Sequence, residues 1–545
     1  MDNKQIPLYE VTAYTNLRQL MEDRAVKLPD KPVFSYMDYR KEKKYDISSS
    51  QFLNEMQQYG TWLFAQGYRK TKIAILGENS YQWLLSFLSV IGGNNIAVPL
   101  DKELSPKAIM ELLTDSESRV LIYSDAYIDV IQEIQKEMNI DFINMNSIPG
   151  ILNQGMEMIT EGNRDYIDHE VDEDNVSIIV YTSGTTGKSK GVMLSHKNIA
   201  IDCSSAAKNC DFSGDSLLLL PLHHTYGMVA GVFLTIIYGG TVYINLSLRY
   251  LKEDLKLSKS RVLFLVPLLV ETLYKNIWKE AEESDKAEGL RAMIEKNRAE
   301  GITDPLIKRK MFAPVLEALG GKTELVISGG ALLNPKYIEG FRDFGIELLN
   351  GYGISECSPI IAVNRDVFHK DGSIGYVVDA CEVRIDQPDE NGEGEICARG
   401  DIVMQGYYKR EDLTKEAIVD GWFHTGDIGH LDEDNFLYIT GRKKNLIILN
   451  NGENVSPEEL ENELQNILLI KEVIVYAEDG MICAEVFPDQ DYIERYDISD
   501  PQKQIRSEVA DRNRSLPIYK QIKKVIFRDS AFDKTTTKKI IRHHM

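Results

Sequence analysis

The sequence predicts an α/β protein with a large N-terminal domain of mostly parallel sheets, a small β-barrel-like subdomain within it, and a small α+β C-terminal domain. Three observations lead there. Strand-like and helix-like segments alternate through the first two thirds, the pattern of α/β layers with parallel sheets. Between 372 and 441 the texture changes to short strands among closely spaced glycines, and after Gly441-Arg442-Lys443-Lys444 an amphipathic helix and two apolar strands begin. The expected division is therefore 1–443, with 372–441 as its β-rich part, and 444–545.

In chain order the strand-like runs are KIAILG (72–77), NIAVPL (95–100), RVLIYS (119–124), VSIIVY (176–181), TVYINL (241–246), RVLFLVP (261–267) and ELVISGG (324–330). Each is short, β-branched and bounded by polar or turn residues. Helical patterns occupy 80–91 and 106–114. Residues 271–312, rich in Lys, Glu and Arg, predict an exposed helical insertion. EVRID (382–386), GEICARG (394–400) and FLYITG (436–441) make up the β-rich part. Ser456-Pro457-Glu458-Glu459 reads as a capping box with proline at the first helical position. Leu460, Leu464, Ile467 and Leu468 then supply one apolar face, and EVIVYA (472–477) and MICAEVF (481–487) follow as strands.

A chain of 545 residues is too long for one core, and 43% apolar with 27% charged residues is ordinary globular composition. The formal net charge of −22 argues against general binding to nucleic acid or an anionic membrane. An anionic substrate therefore needs local basic relief. Lys520, Lys523, Lys524, Arg528, Lys534, Lys538, Lys539 and Arg542 offer it near the C-terminus. Cysteines 203, 210, 357, 381, 397 and 483 show neither CxxC nor zinc-ligand spacing, which predicts reduced thiols and a cytoplasmic location. The N-terminal MDNKQIPLYEVTAY lacks the basic-then-apolar pattern of a signal peptide. The apolar run 83–91 spans only about 13 Å as a helix against a bilayer core of ~30 Å. The longer run 228–244 is divided by Gly239-Gly240 into helix-like and strand-like parts. No transmembrane segment is expected, though the runs leave room for peripheral membrane contact.

The stretch 181–192, YTSGTTGKSKGV, constrains function most. It follows a buried strand, and Gly184 and Gly187 allow backbone amides to approach phosphate oxygens. Thr182, Ser183, Thr185 and Thr186 add hydroxyl donors, and Lys188 or Lys190 adds a point charge. A Walker loop requires glycine where Thr182 stands and a helix beginning at the lysine. Here Gly191-Val192-Met193-Leu194 continues extended, and Ser195 reads as the first helix N-cap. The stretch is a phosphate loop of another kind.

Further motifs follow in a fixed order: PLHHTYG (221–227), SGGALL (328–333), NGYGISECSP (350–359), WFHTGDIG (422–429), GRKKNLIILNNGENVSPEELE (441–461) and DKTTTKKIIR (533–542). With the phosphate loop they resemble, over nearly the whole chain, the adenylate-forming (AMP-binding) superfamily, and most of all its long-chain fatty acyl-CoA synthetases. The resemblance implies activation of a carboxylate by ATP to an acyl-adenylate with loss of pyrophosphate, then transfer to the thiol of CoA. Such chemistry rests on positioning and neutralisation of phosphate charge.

By that resemblance, residues 182–190 hold the β- and γ-phosphates, with Lys190 the loop lysine. Glu356 ligates Mg²⁺ and Ser355 contacts the α-phosphate. Gly329, Gly330 and Ala331 pass one side of adenine, and Asn350, Gly351 and Tyr352 cover the other side and edge. Asp427, assisted by Arg442, accepts from the ribose hydroxyls. His224 lines the acyl entrance, whereas His223, Tyr226, Cys357 and Cys381 read as packing residues. Lys539 matches the C-terminal catalytic lysine, although Lys538 replaces the usual glycine before it and leaves two lysines as candidates. Lys444 matches the hinge about which a mobile C-terminal domain rotates, presenting the loop up to Gly452 to a CoA channel. The implied cofactors are ATP, Mg²⁺ and CoA, and the implied substrate is a medium- or long-chain fatty acid. Two other readings are an adenylating enzyme that loads a carrier protein, expected on a separate chain since no carrier module follows Met545, and a nucleotide-binding regulator. Retention of Glu356, Asp427, Arg442 and Lys539 argues against the regulator.

Overall fold

All seven runs read as strands in the first two thirds are strands. A computed structural model describes residues 8–183, 189–331, 333–449, 454–478, 480–534 and 540–542. The chain packs as two compact units. The first holds residues up to Leu333 together with Tyr337–Val383 and Ala398–Phe423; the second holds Asn334–Lys336, Arg384–Cys397 and the residues from His424 onward. The β-rich stretch 372–441 is thus shared between them.

In the first unit one sheet runs, neighbour to neighbour, Gly406–Tyr407, Ser189–Ser195, Val176–Ser183, Ile96–Leu100, Lys72–Leu76, Val120–Tyr123 and Asp141–Asn144. Its central strands pair in parallel. A second sheet runs Ile360–Val363, Glu347–Gly353, Leu325–Ser328, Val262–Leu265, Ser216–Leu218, Val242–Ile244, Pro32–Asp38 and Lys43–Ser48. It is parallel from Glu347–Gly353 to Pro32–Asp38. Parallel strands put their C-terminal ends, and the loops that follow, along one edge of each sheet, where ligands bind in open α/β folds.

The helices begin where their caps require. Ser80 accepts from the Trp83 N–H, Ser105 accepts from Ala108 with Pro106 next, and Ser195 and Asn198 form a reciprocal capping box. The 271–312 segment is helical, as Pro267–Glu283, Ala287–Ala299 and Pro305–Met311. It is not wholly exposed: Leu273, Ile277 and Phe312 enter the core beside Leu263 and Phe341. Its charges line one face only, and the apolar residues between them recur at helical spacing.

The second unit contains an antiparallel pair, Ile470–Glu478 with Met481–Pro488, extended in parallel by Lys524–Phe527. Helices Pro457–Gln465 and Pro501–Asn513 cover it, with Leu460, Leu464, Ile467, Ile505 and Val509 in the shared core. Two details depart from expectation. Leu468 is 53% exposed while Leu469 is buried, because the helix ends at Gln465 and helical periodicity stops with it. Only half of the capping box forms: Ser456 accepts from the Glu459 N–H, but the Glu459 carboxylate binds the Lys520 ammonium at 2.7 Å.

Candidate functional site

The phosphate arm is a hairpin. Val176–Ser183 and Ser189–Ser195 pair antiparallel, with Thr182 opposite Lys190 and Ser183 opposite Ser189. Lys190, on the return strand, is therefore held beside Thr182 by backbone register. Gly184, Thr185, Thr186, Gly187 and Lys188 lie outside the described residues. The return strand is strapped on its other edge by Gly406–Tyr407, where Tyr407 pairs with Val192 and the Tyr408 N–H donates to Gly191 O at 2.7 Å.

Glu347–Gly353 delivers the second motif, ending in a short turn, Ser355–Cys357. One oxygen of Glu356 accepts from the Tyr407 hydroxyl at 2.9 Å, and the ring of Tyr407 lies 4.9 Å from the Lys190 ammonium. The strap also fixes this turn's backbone. Met404 N–H donates to Glu356 O at 2.8 Å, and the Ser358 hydroxyl donates to Ile402 O at 2.7 Å. Burial, then the adjacent Glu356 carboxylate, pushes the Tyr407 hydroxyl well above the usual tyrosine range, so it stays a donor. Ser355 Oγ is 3.3 Å from Thr225 Oγ1, which links this turn to the histidine motif.

Of the residues expected around adenine, Gly329, Gly330, Gly351 and Tyr352 border an apolar cavity of about 60 Å³, lined also by Ala206, Phe212, Ala230, Leu234 and Phe264, whereas Ala331 and Asn350 do not line it. Glycine is needed at its wall. A Cβ on Gly329 would lie 2.9 Å from the ring of Tyr226, and one on Gly353 would lie 1.6 Å from Pro359 O. Tyr226 does more than pack: its hydroxyl lies 3.2 Å from Leu265 O and 3.1 Å from Ile327 O, so the ring backs Gly329 from two neighbouring strands. Gly330 sits at φ +84 and is exposed, as is Ala331. Asn350 is turned inward, donating to Ser373 O at 3.3 Å.

The histidine motif is clamped from the edge of the first sheet. Asn79, just past Lys72–Leu76, donates to Leu220 O at 2.8 Å and accepts from the Leu222 N–H at 3.0 Å. Asp101, just past Ile96–Leu100, approaches His223 Nε2 at 3.6 Å. The rings of His223 and His224 lie 4.1 Å apart. Burial, and then His224, depress the His223 pKa to about 3, so this imidazole is neutral at physiological pH. His224 is half-buried, and its carbonyl accepts from the Met228 N–H at 3.2 Å.

In the second unit Asp427 and Arg442 face each other across an antiparallel pair, joined at 2.6 Å. Asp427 is only 2% exposed, and its N–H donates to Thr425 Oγ1 at 3.0 Å. Lys444 is exposed; partial desolvation, then Arg442, lowers its pKa. It lines a cavity of about 250 Å³ with Asn445, Val475, Tyr476 and Arg542. Gly452, Lys538 and Lys539 lie outside the described residues. The basic C-terminal stretch is largely neutralised within this unit. Lys520, Lys524, Arg528, Lys534 and Arg542 pair with Glu459, Glu478, Glu485, Glu472 and Glu461, so these five are not the relief expected for an anionic substrate.

Comparison with known proteins gives this arrangement its place. The family model described as AMP-binding enzyme matches residues 21–408, and that of the AMP-binding enzyme C-terminal domain matches 444–545. The chain belongs to the AMP-binding enzyme family. Long chain acyl-CoA synthetase 2 of Arabidopsis thaliana is 29% identical to it over 465 residues, 77% of this chain and 70% of that protein. A chloroplastic long-chain-fatty-acid–acyl-carrier-protein ligase of the same plant is 27% identical over 533 residues, covering 82% and 73%. Among solved structures, o-succinylbenzoate coenzyme A synthetase from Bacillus subtilis, in complex with ATP and magnesium ion, superposes with a TM-score of 0.73 at 22% identity, covering 96% of this chain and 98% of that one. This last likeness shows the fold.

This AMP-binding enzyme is an acid–thiol ligase, with ATP, Mg²⁺ and CoA as its cofactors. Its donor set suits magnesium. Among the described residues no cluster of three or more His, Cys, Asp or Glu could hold a metal alone. Glu356 is tied to the phosphate arm through Tyr407, and Mg²⁺ is commonly held by one or two carboxylates together with substrate phosphates. No helix among the described residues is long and apolar enough to cross a membrane. Sequence reading missed Tyr407, Asn79 and Asp101. Each acts across more than fifty residues of sequence and bears no motif chemistry, so its partner is visible only in the fold.

Proposed function

We propose that this enzyme activates a medium- or long-chain fatty acid and passes the acyl group to CoA. The observation that carries the choice of acid is the apolar cavity lined by Gly329, Gly351, Tyr352, Phe212, Phe264 and Leu234. An apolar chain buried there gains about 0.8 kcal/mol per methylene. ATP supplies the α-phosphorus at which the acid forms an acyl-adenylate as pyrophosphate leaves. Lys190, with the hydroxyls and amides of the loop from Thr182, offsets charge on the β- and γ-phosphates. Glu356 holds Mg²⁺, and Ser355 donates to the α-phosphate. His224 lines the acyl entrance on a turn that Asn79 holds, and Gly329, Gly330, Ala331, Asn350, Gly351 and Tyr352 frame the base.

Asp427 and Arg442 are assigned to the ribose, which requires Asp427 to take a second partner besides the guanidinium. Lys539, with Lys538 as its rival, is assigned to the carboxylate and α-phosphate. Residues 444–545 are proposed to move as the C-terminal domain about Lys444, bringing Gly452 to the thiol channel. Six free, buried cysteines support a reducing, cytoplasmic setting.

Pyrophosphate release over acids of graded chain length, with and without CoA, tests the reading. Apolar acids of eight or more carbons should lead, with acyl-CoA and AMP as products. Preference for short or polar acids would refute it. A second reading, transfer to a separate acyl carrier protein, is favoured by the carrier-protein ligase among the relatives. Thioester on purified carrier protein but none on free CoA would establish it instead.

A further inference from the structure

Tyr407 stands between the two charges that must meet the phosphates. Its hydroxyl donates to one oxygen of Glu356 at 2.9 Å, and its ring faces the Lys190 ammonium at 4.9 Å from the centroid. Neither contact is a chance of side-chain placement, because the residue is anchored on every side. Its backbone pairs with Val192 of the phosphate arm, its N–H donates to Thr414 Oγ1 at 2.9 Å, and the residue as a whole is 6% exposed. The same strap holds the Glu356 turn through Met404 N–H and Ile402 O.

A partly exposed carboxylate three bonds from its backbone, such as that of Glu356, samples several positions, and ordering it costs entropy on each metal-binding event. A charge-assisted hydrogen bond from a buried, immobile hydroxyl removes that freedom beforehand and leaves the second oxygen for a cation. The aromatic face meanwhile holds the lysine by cation–π attraction without neutralising it, as a carboxylate would. We propose that Tyr407 is a positioning residue for the metal–nucleotide complex: its hydroxyl presets Glu356 for Mg²⁺ and its ring presets Lys190 for the phosphates. This rests on the reading of Glu356 as the magnesium carboxylate.

The test is ATP binding by titration calorimetry across a range of Mg²⁺ concentrations, for the wild type, Tyr407→Phe, Glu356→Gln and the double variant. Tyr407→Phe should raise the Mg²⁺ concentration for half-maximal enhancement of ATP binding about tenfold, the size of one hydrogen bond to a charged group. In the Glu356→Gln background the same change should add nothing, since the hydroxyl acts through that carboxylate. Tyr407→Leu should weaken Mg²⁺-free ATP binding relative to Tyr407→Phe, because it alone loses the ring under Lys190. An unchanged Mg²⁺ dependence in Tyr407→Phe, or full additivity in the double variant, would overturn the proposal. Binding needs no acid, so acid-dependent pyrophosphate release by the wild type reports separately on the proposed function.

Discussion

Filling the apolar cavity tests the acyl assignment most directly. Ala230 lines it, and Ala230→Leu adds three carbon atoms to a space of about 60 Å³. If the cavity takes the chain, those three carbons displace an equal length of substrate. At ~0.8 kcal/mol per methylene the loss is ~2.4 kcal/mol of transition-state binding, or ~60-fold in kcat/KM at ~1.36 kcal/mol per tenfold. Acids too short to reach the cavity lose nothing by this argument. The assay is pyrophosphate release with even-numbered acids from four to eighteen carbons, comparing the ratio of variant to wild type at each length. A step in that ratio, falling from near one to about a sixtieth, is the expected result. An equal loss at every length would place the acyl chain elsewhere, and a rise in KM for ATP alone would make the cavity part of the nucleotide pocket.

Three other outcomes follow from the geometry. Asn79→Ala removes both hydrogen bonds to the Leu220–Leu222 backbone; it should cost about 1–3 kcal/mol in stability and lower kcat/KM for the acid more than that for ATP, in steady-state kinetics varied in each substrate. Gly353→Ala puts a Cβ 1.6 Å from Pro359 O, backbone that cannot swing aside, so denaturant unfolding should show a loss above about 4 kcal/mol or no folded protein. Burial raises the Glu461 pKa from 4.5 to about 7 despite the Arg542 ion pair. The native state then holds a proton that the unfolded chain releases above pH 4.5, so stability falls as pH rises from 4.5 to 7. Glu461→Gln should flatten that slope in unfolding followed at successive pH values, and an identical slope would show that the carboxyl does not titrate in this window.

The order of strands, the helix starts and the motif series were legible in the sequence because each depends on local chemistry. A buried parallel strand must be a short β-branched run, a helix must be capped by residues such as Ser80 or Ser195, and a phosphate loop must carry glycine and hydroxyls. Local rules failed where an element ended or a partner competed: Leu468 past the last helical turn, and Glu459 drawn away by Lys520. They also could not tell a free cation from a spent one. Lys534 and Arg542 look alike in the sequence to lysines that meet a substrate, yet carboxyl groups that precede them by 62 and 81 residues hold them in place. The tertiary structure alone decided what lies beside what. Tyr407 reaches Glu356 across 51 positions and Asn79 reaches Leu220 across 141, and a contact at such separation is set by strand order, which no local pattern encodes.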